Sequence, residues 1–209
     1  MLYKMMHGDD EVLRFDLTEQ YIEVMNNQKL PYMLKDYVKT SELTSRRDFI
    51  ENSKYIDCIR DFLSSRLLNL SRSGAKTILN VANLPQSLKM EERVKIAIAC
   101  RGLTMTDNFW LQEESENLNY KDVCLRKNPL SLKSYDISIL QHHISATREE
   151  LRPDLTVTGM YPKFWKRNGN DIELWKTDNT TNFSNTKAEI AVSDMLDHSN
   201  VPHVKYRKA

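Results

Sequence analysis

Glycine and proline are both scarce in this chain, five and six in 209 residues. Linker-rich, collagenous and disordered proteins hold far more of them, so folded structure is expected throughout. Cysteine is scarcer still. Cys58, Cys100 and Cys124 are odd in number and widely spaced, with no C-x-x-C and no histidine at ligand spacing. That pattern speaks against a disulfide framework or a zinc site and for buried reduced thiols, as in a cytoplasmic protein. Long apolar runs are missing as well. No stretch of the sequence approaches the roughly 18 to 20 residues of a membrane span. The opening "MLYKMMHGDDEVLRF" turns acidic where a signal peptide needs its apolar core. No membrane partner is expected. Nor is there an excess of charge: 30 Lys and Arg face 29 Asp and Glu, for a net charge near +1. Global electrostatics therefore favours neither nucleic acid nor an anionic surface.

What the chain does hold is patterned. "MLYKMM" and "EVLRFDL" read as two short strands about a His7-Gly8-Asp9-Asp10 turn, with "YIEVMNN" as a third. From Ser45 the apolar positions Phe49, Ile50, Ile56, Ile59, Phe62, Leu63, Leu67, Leu68 and Leu70 recur at spacings of three and four. This predicts one amphipathic helix or two abutting ones. "RSGAKTILNVANL" and "EERVKIAIACRGL", split by Pro85 and ending near Gly102, complete a helical cluster. Further on, "FWL" and "VCL" predict short strands, and "SYDISILQHH" a helix. Residues 145–162, with Pro153, Gly159 and Pro162, read as a long connection and a boundary. "FWKRNGNDIELWKT" is a hairpin about Asn168-Gly169-Asn170, "NTKAEIAVSDMLDHS" a helix, and "VPHVKYRK" one more strand. The expected class is α+β in two parts. Residues 1–102 form a β-meander with a helical cluster, and residues 103–209 an antiparallel sheet with one helix.

In this second part, Lys176 ends the strand "IELWK" and Glu189 lies 13 residues later in the first turns of a helix. A kinase small lobe holds nucleotide phosphates with a strand lysine and fixes its ammonium with a helix glutamate, in this order. On spacing alone, a surface lysine and a solvated glutamate are the commoner source of such a pair. The stretches "CRGLTMTDNFWL", "YKDVCLRKNPLS", "LRPDLTVTGMYPKFWKRNGNDIELWK" and "KAEIAVSDMLDHSNVPHVKY" add a second reason. Together they resemble the N-terminal half of HipA-like serine/threonine kinases, the toxin-type kinases of bacteria and mobile elements, from about residue 94 to 208. "SRSGAKTIL" resembles the segment upstream.

The resemblance implies a kinase-small-lobe-like region in which Lys176 binds nucleotide and Glu189 is its partner. Residues 153–159, with Thr158 and Gly159, take the place of the phosphate-covering loop. Two departures weaken nucleotide approach: this loop has one glycine, and Thr177-Asp178-Asn179 stand where relatives carry glycines. In kinases the aspartate base and the magnesium ligands come from the large lobe. The sequence stops 20 residues after Glu189, so none of it is expected to build that lobe. The resemblance thus implies no catalytic residue here and no phosphoryl transfer by this chain alone. ATP and magnesium are expected as cofactors only of a longer form.

"SRSGAKT" is similar to the end of a phosphate loop, but Asn69 stands where its first glycine would be. Ser73 or Gly74 would cap a helix there. Alternatively Arg66, Arg72 and Lys76 would form a local basic patch for an anion or nucleic acid. Arg46, Arg47, Arg60 and Arg66 read as a solvated helix face. His142-His143 has no acidic or thiol neighbours at ligand spacing, so no metal is expected. Two functions remain open. One is a catalytically incomplete portion of a HipA-like kinase acting as a regulatory or protein-interaction module. The other is a stand-alone binding protein of a mobile element or phage that inhibits a host enzyme or defence complex. Both imply a protein partner.

Overall fold

Gly8 turns the chain at φ +61, a conformation that suits a residue without a side chain, and the first hairpin closes around it. The computed structural model describes residues 1–38, 48–127, 133–178 and 181–208. In it β1 (Tyr3–His7) and β2 (Asp10–Asp16) pair antiparallel, with His7 opposite Asp10. The register slips between Met5 and Met6, a bulge that lets the adjacent Val12 and Leu13 both enter the core. β3 (Tyr21–Val24) pairs with β2, and β4 (Phe109–Glu113) pairs with β1, giving the order β3-β2-β1-β4. Trp110 of β4 is buried and donates its indole N–H to the Gly8 carbonyl at 2.7 Å.

The helices α1 (Tyr32–Val38), α2 (Asp48–Ser65), α3 (Ala75–Val81) and α4 (Met90–Ala99) lie between β3 and β4 in the chain; α2 packs on β3 and carries α1 and α4. Tyr55, Ile56, Ile59, Phe62 and Leu63 form the buried stripe of α2, as the three-and-four spacing predicts. The helix stops at Ser65, short of Leu70. Arg93 of α4 meets the end of the helix and the turn after it, donating to Ser64 O at 2.7 Å and Leu67 O at 3.4 Å. Residues 45–47, including Arg46 and Arg47, lie outside the described residues. The principal core joins Met5, Leu13 and Phe15 of the sheet to these helices, and it also takes in Leu111, Ile137, Leu151 and Leu155. It therefore draws on both sides of residue 102. A second cluster gathers Met6, Leu103, Met105, Trp110 and Leu125. Cys100 and Cys124 are buried and Cys58 half-buried, none of them in a disulfide; burial pushes the Cys100 thiol up to about 11.

Beyond β4 come α5 (Tyr120–Val123), α6 (Ser134–Ser138) and α7 (Arg148–Leu155). Two expectations are corrected here. "VCL" is not a strand, because Val123 ends the single turn of α5. Residues 145–162 are not a plain connection, because α7 occupies their middle. Thr147 accepts from Glu150 N at 3.2 Å and Glu150 accepts from Thr147 N at 2.7 Å, a reciprocal cap that starts the helix. Leu151 and Leu155 then dock it in the principal core. Pro153 is tolerated inside this short helix.

The chain ends with β5 (Lys163–Asn168), β6 (Asp171–Lys176) and α8 (Ser184–His198). β5 and β6 form a hairpin closed at Gly169, φ +60. "VPHVKYRK" is also corrected: residues 201–208 run unpaired, so this second sheet has two strands. The class is α+β, with eight α-helices among the described residues. No described helix is long and apolar enough to cross a membrane.

Candidate functional site

Strand register decides what Lys176 has for neighbours. Across the hairpin Lys163 is paired with Lys176, Trp165 with Leu174 and Arg167 with Ile172, so these six side chains share one face. Phe164 and Trp175 lie on the other face, where Phe164 meets Tyr135 of α6 edge-on at 5.6 Å. Lys176 reaches α8 and forms an ion pair with Glu189. The strand lysine and helix glutamate singled out in the sequence are therefore in contact. The pair is partly solvated, with side chains 24% and 41% exposed.

Lys163, which the sequence reading passed over, is the second cation of this face. It is buried, and its Nζ donates to the Thr158 carbonyl at 2.9 Å. Burial lowers its pKa first, and the nearby charges of Arg72 and Lys176 lower it further, while Glu189 opposes them. Two lysines directly opposite one another repel, and Glu189 offsets that repulsion. The only signal in the sequence was the cross-strand register, which depends on the turn closing at Gly169 and Asn170.

Thr158 and Gly159 sit above these lysines in the exposed turn that follows α7. Gly159 holds φ +103, and a Cβ there would collide with Lys163 Nζ. Of the rest of the expected loop, residues 153–155 are the end of α7 and Thr156 is its C-cap. Gly159→Ala is expected to destabilise the fold by about 1 to 2 kcal/mol. The lysine tip can swing aside, so the backbone carries most of that cost; a shifted midpoint in urea unfolding would measure it.

Arg72 anchors this loop from below. Its Nη2 donates to Lys163 O at 2.5 Å and its Nη1 to Val157 O at 3.4 Å. Burial pulls its pKa down to about 10, against the favourable charge of Asp154. Asp154 is itself fully buried, accepting from Ser134 Oγ and Ser138 Oγ at 2.6 Å each. Burial raises its pKa to about 6 in spite of those two bonds and Arg72.

The expected basic patch does not form. Arg66 is buried and held by Asp107, with Nη1–Oδ2 at 3.0 Å and Nη2–Oδ1 at 2.6 Å. Arg72 is buried in the contacts just described, and only Lys76 is exposed. Charge alone suggested a surface; the backbone carbonyls around both arginines made them interior donors. Gly74, at φ +80, precedes the first turn of α3 without a side-chain cap.

Asp178 stands at one of the positions where the resemblance implies glycine. Its buried carboxylate accepts from Thr186 N at 2.8 Å and Thr186 Oγ1 at 3.3 Å. The N-terminus of α8 thus already holds an anion belonging to the chain. Asn179 lies outside the described residues. Beside the hairpin, Phe62, Arg66, Met105, Asp107, Trp165 and Leu174 line a cleft of about 310 Å³ that Thr158 also borders. Among the described residues no group of three or more His, Cys, Asp or Glu is arranged to hold a metal ion.

No family model, curated protein or solved structure matches this chain. The HipA-like resemblance therefore rests on the sequence motifs alone.

Proposed function

We propose that this chain is a HipA-like, catalytically incomplete kinase portion that works as a regulatory or protein-interaction module. The observation that carries the reading is the ion pair between Lys176 at the end of β6 and Glu189 in α8. In a kinase small lobe the same pair prepares a lysine for nucleotide phosphates. Lys163 and the Thr158-Gly159 turn beside it are consistent with a phosphate-facing surface. Phosphoryl transfer by these residues alone is not part of the reading, because the base and the magnesium ligands of that chemistry belong to a large lobe. ATP and magnesium would be cofactors of a longer form.

The protein-partner half of the proposal has its own support. Phe183, Val192, Met195 and Val204, on and around α8, are 60%, 53%, 68% and 76% exposed. Large apolar side chains exposed on a helix and in the segments beside it suit a protein surface. The same patch would serve an inhibitor of a host enzyme or defence complex from a mobile element or phage, which is the second reading. Calorimetric titration of ATP with magnesium into the wild type and Lys176→Ala tests the first. Binding tighter than about millimolar, lost in the variant, is expected. No binding by the folded chain, in the wild type and in Tyr206→Ala alike, would leave the lysine–glutamate pair as scaffold and turn the search to protein partners.

A further inference from the structure

Lys176 is enclosed on a second side. The ring of Tyr206 lies over its ammonium, with Nζ 4.8 Å from the ring centroid, in addition to the contact with Glu189. Tyr206 belongs to residues 201–208, which follow α8 and fold back over it without strand pairing. Polar contacts hold this segment. Tyr206 N donates to Ser193 Oγ at 3.1 Å, and the same hydroxyl is 2.9 Å from His203 Nε2. Lys205 pairs with Asp197 at 3.0 Å, and Arg207 pairs with Glu173 of β6. Ser193 is the one buried residue of α8, so the segment is tied to the helix through its single interior hydroxyl.

Apolar burial contributes little to this attachment. Val201 and Val204 are 45% and 76% exposed. Lys205 and Arg207 make their ion pairs with side chains 77% and 73% exposed, and such pairs stabilise weakly. A segment attached in this way can leave at small cost, and its one aromatic ring covers the lysine on which a phosphate would bind.

We propose that residues 201–208 are an autoinhibitory strap. Tyr206 caps the Lys176 ammonium, and the ring must swing away before a phosphate-bearing ligand reaches it. The ligand part of this inference rests on the nucleotide reading of Lys176; the covering of the lysine does not. Glu189 keeps the ammonium in place while the strap moves, so opening exposes an ordered cation rather than a free side chain. The Ser193 hydroxyl is the latch, because it binds both Tyr206 N and His203.

The test reads the lysine directly. The full chain, Tyr206→Ala, Tyr206→Phe and Ser193→Ala are acetylated with an N-hydroxysuccinimide ester, and the rate at Lys176 is measured by mass spectrometry relative to exposed Lys76. Tyr206→Ala is expected to raise the relative rate about two- to fivefold, the range that losing an exposed cation–π contact spans. Ser193→Ala should raise it in the same direction, and Tyr206→Phe, which keeps the ring, should leave it unchanged. An unchanged rate in Tyr206→Ala overturns the strap. ATP with magnesium is then titrated into Tyr206→Ala. Tighter binding than wild type supports both the strap and the nucleotide reading. Faster acetylation without ATP binding overturns the nucleotide reading and leaves the strap standing.

Discussion

Arg66→Met is expected to destabilise the fold by about 3 kcal/mol or more, because it breaks a buried ion pair from one side. The guanidinium is buried, lies 4.8 Å from the Phe62 ring centroid, and pairs in two-pronged fashion with Asp107. It also donates to Phe109 O at 3.1 Å, to Thr104 Oγ1 at 3.3 Å and to Gly102 O. One side chain thus ties the end of α2 to the Thr104–Asp107 turn and to β4. Methionine fills the volume and supplies none of the donors, which leaves two carbonyls and a carboxylate to find other partners. Asp107 is 35% exposed, so water can reach part of it, and the loss should fall near the lower end of the range for a broken buried pair. Chemical denaturation of Arg66→Met and of Arg66→Met/Asp107→Asn measures this. The double variant should recover part of the stability by removing the uncompensated charge. A single-variant loss below about 1 kcal/mol would mean that water replaces the guanidinium. The cleft beside the hairpin would widen at its Arg66 and Asp107 wall, so ligand binding should be measured in the same variants.

Asp154 sets the second large effect, and its sign is opposite to that of an ordinary paired carboxylate. Its native pKa is raised from 3.8 to about 6, chiefly by burial. Between these values the folded chain binds the proton more readily than the unfolded one. With respect to this group, stability therefore rises as pH falls from 7 to 4. A shift of about two units corresponds to roughly 3 kcal/mol across the window. Asp154→Asn removes the titration while keeping an oxygen for one serine and an N–H₂ for the other. The stability difference between wild type and Asp154→Asn should thus move in favour of the wild type on acidification. Other carboxylates work the other way: the N-terminal ammonium lowers Asp16 and Arg101 lowers Glu116, so their contributions are lost at still lower pH. They are common to both proteins and cancel in the difference. A pH-independent difference would mean that Asp154 titrates near its ordinary value. Because Arg72 links the neighbourhood of Asp154 to the carbonyls of Val157 and Lys163, the same variant should alter the loop above the lysines.

Several local elements were legible because they depend on near neighbours in the chain. The stripe of α2 follows from its spacing, and the hairpins follow from turns at Gly8 and Gly169. α7 is hidden in the sequence although Thr147-x-x-Glu150 carries a cap signature, because Pro153, Gly159 and Pro162 signal a connection. "VPHVKYRK" looked like a strand by composition, but its contacts run to the side chains of α8 and β6 rather than to a neighbouring strand. Arg66 and Arg72 suggest surface charges in the sequence, the usual fate of arginine, and only the folded carbonyls around them make them interior.

The division at the candidate site is of the same kind. Sequence by itself determined the α+β class, the β5–β6 hairpin and the order of strand lysine and helix glutamate, since periodicity, turn residues and motif order are local properties. Only the tertiary structure decided that Lys163 faces the same side as Lys176, that Asp178 takes the N-terminus of α8, and that Tyr206 covers the lysine. Those outcomes follow from strand register, burial and the return of the chain on itself. Each joins residues whose interaction depends on where the folded backbone brings them, and spacing along the chain does not specify that.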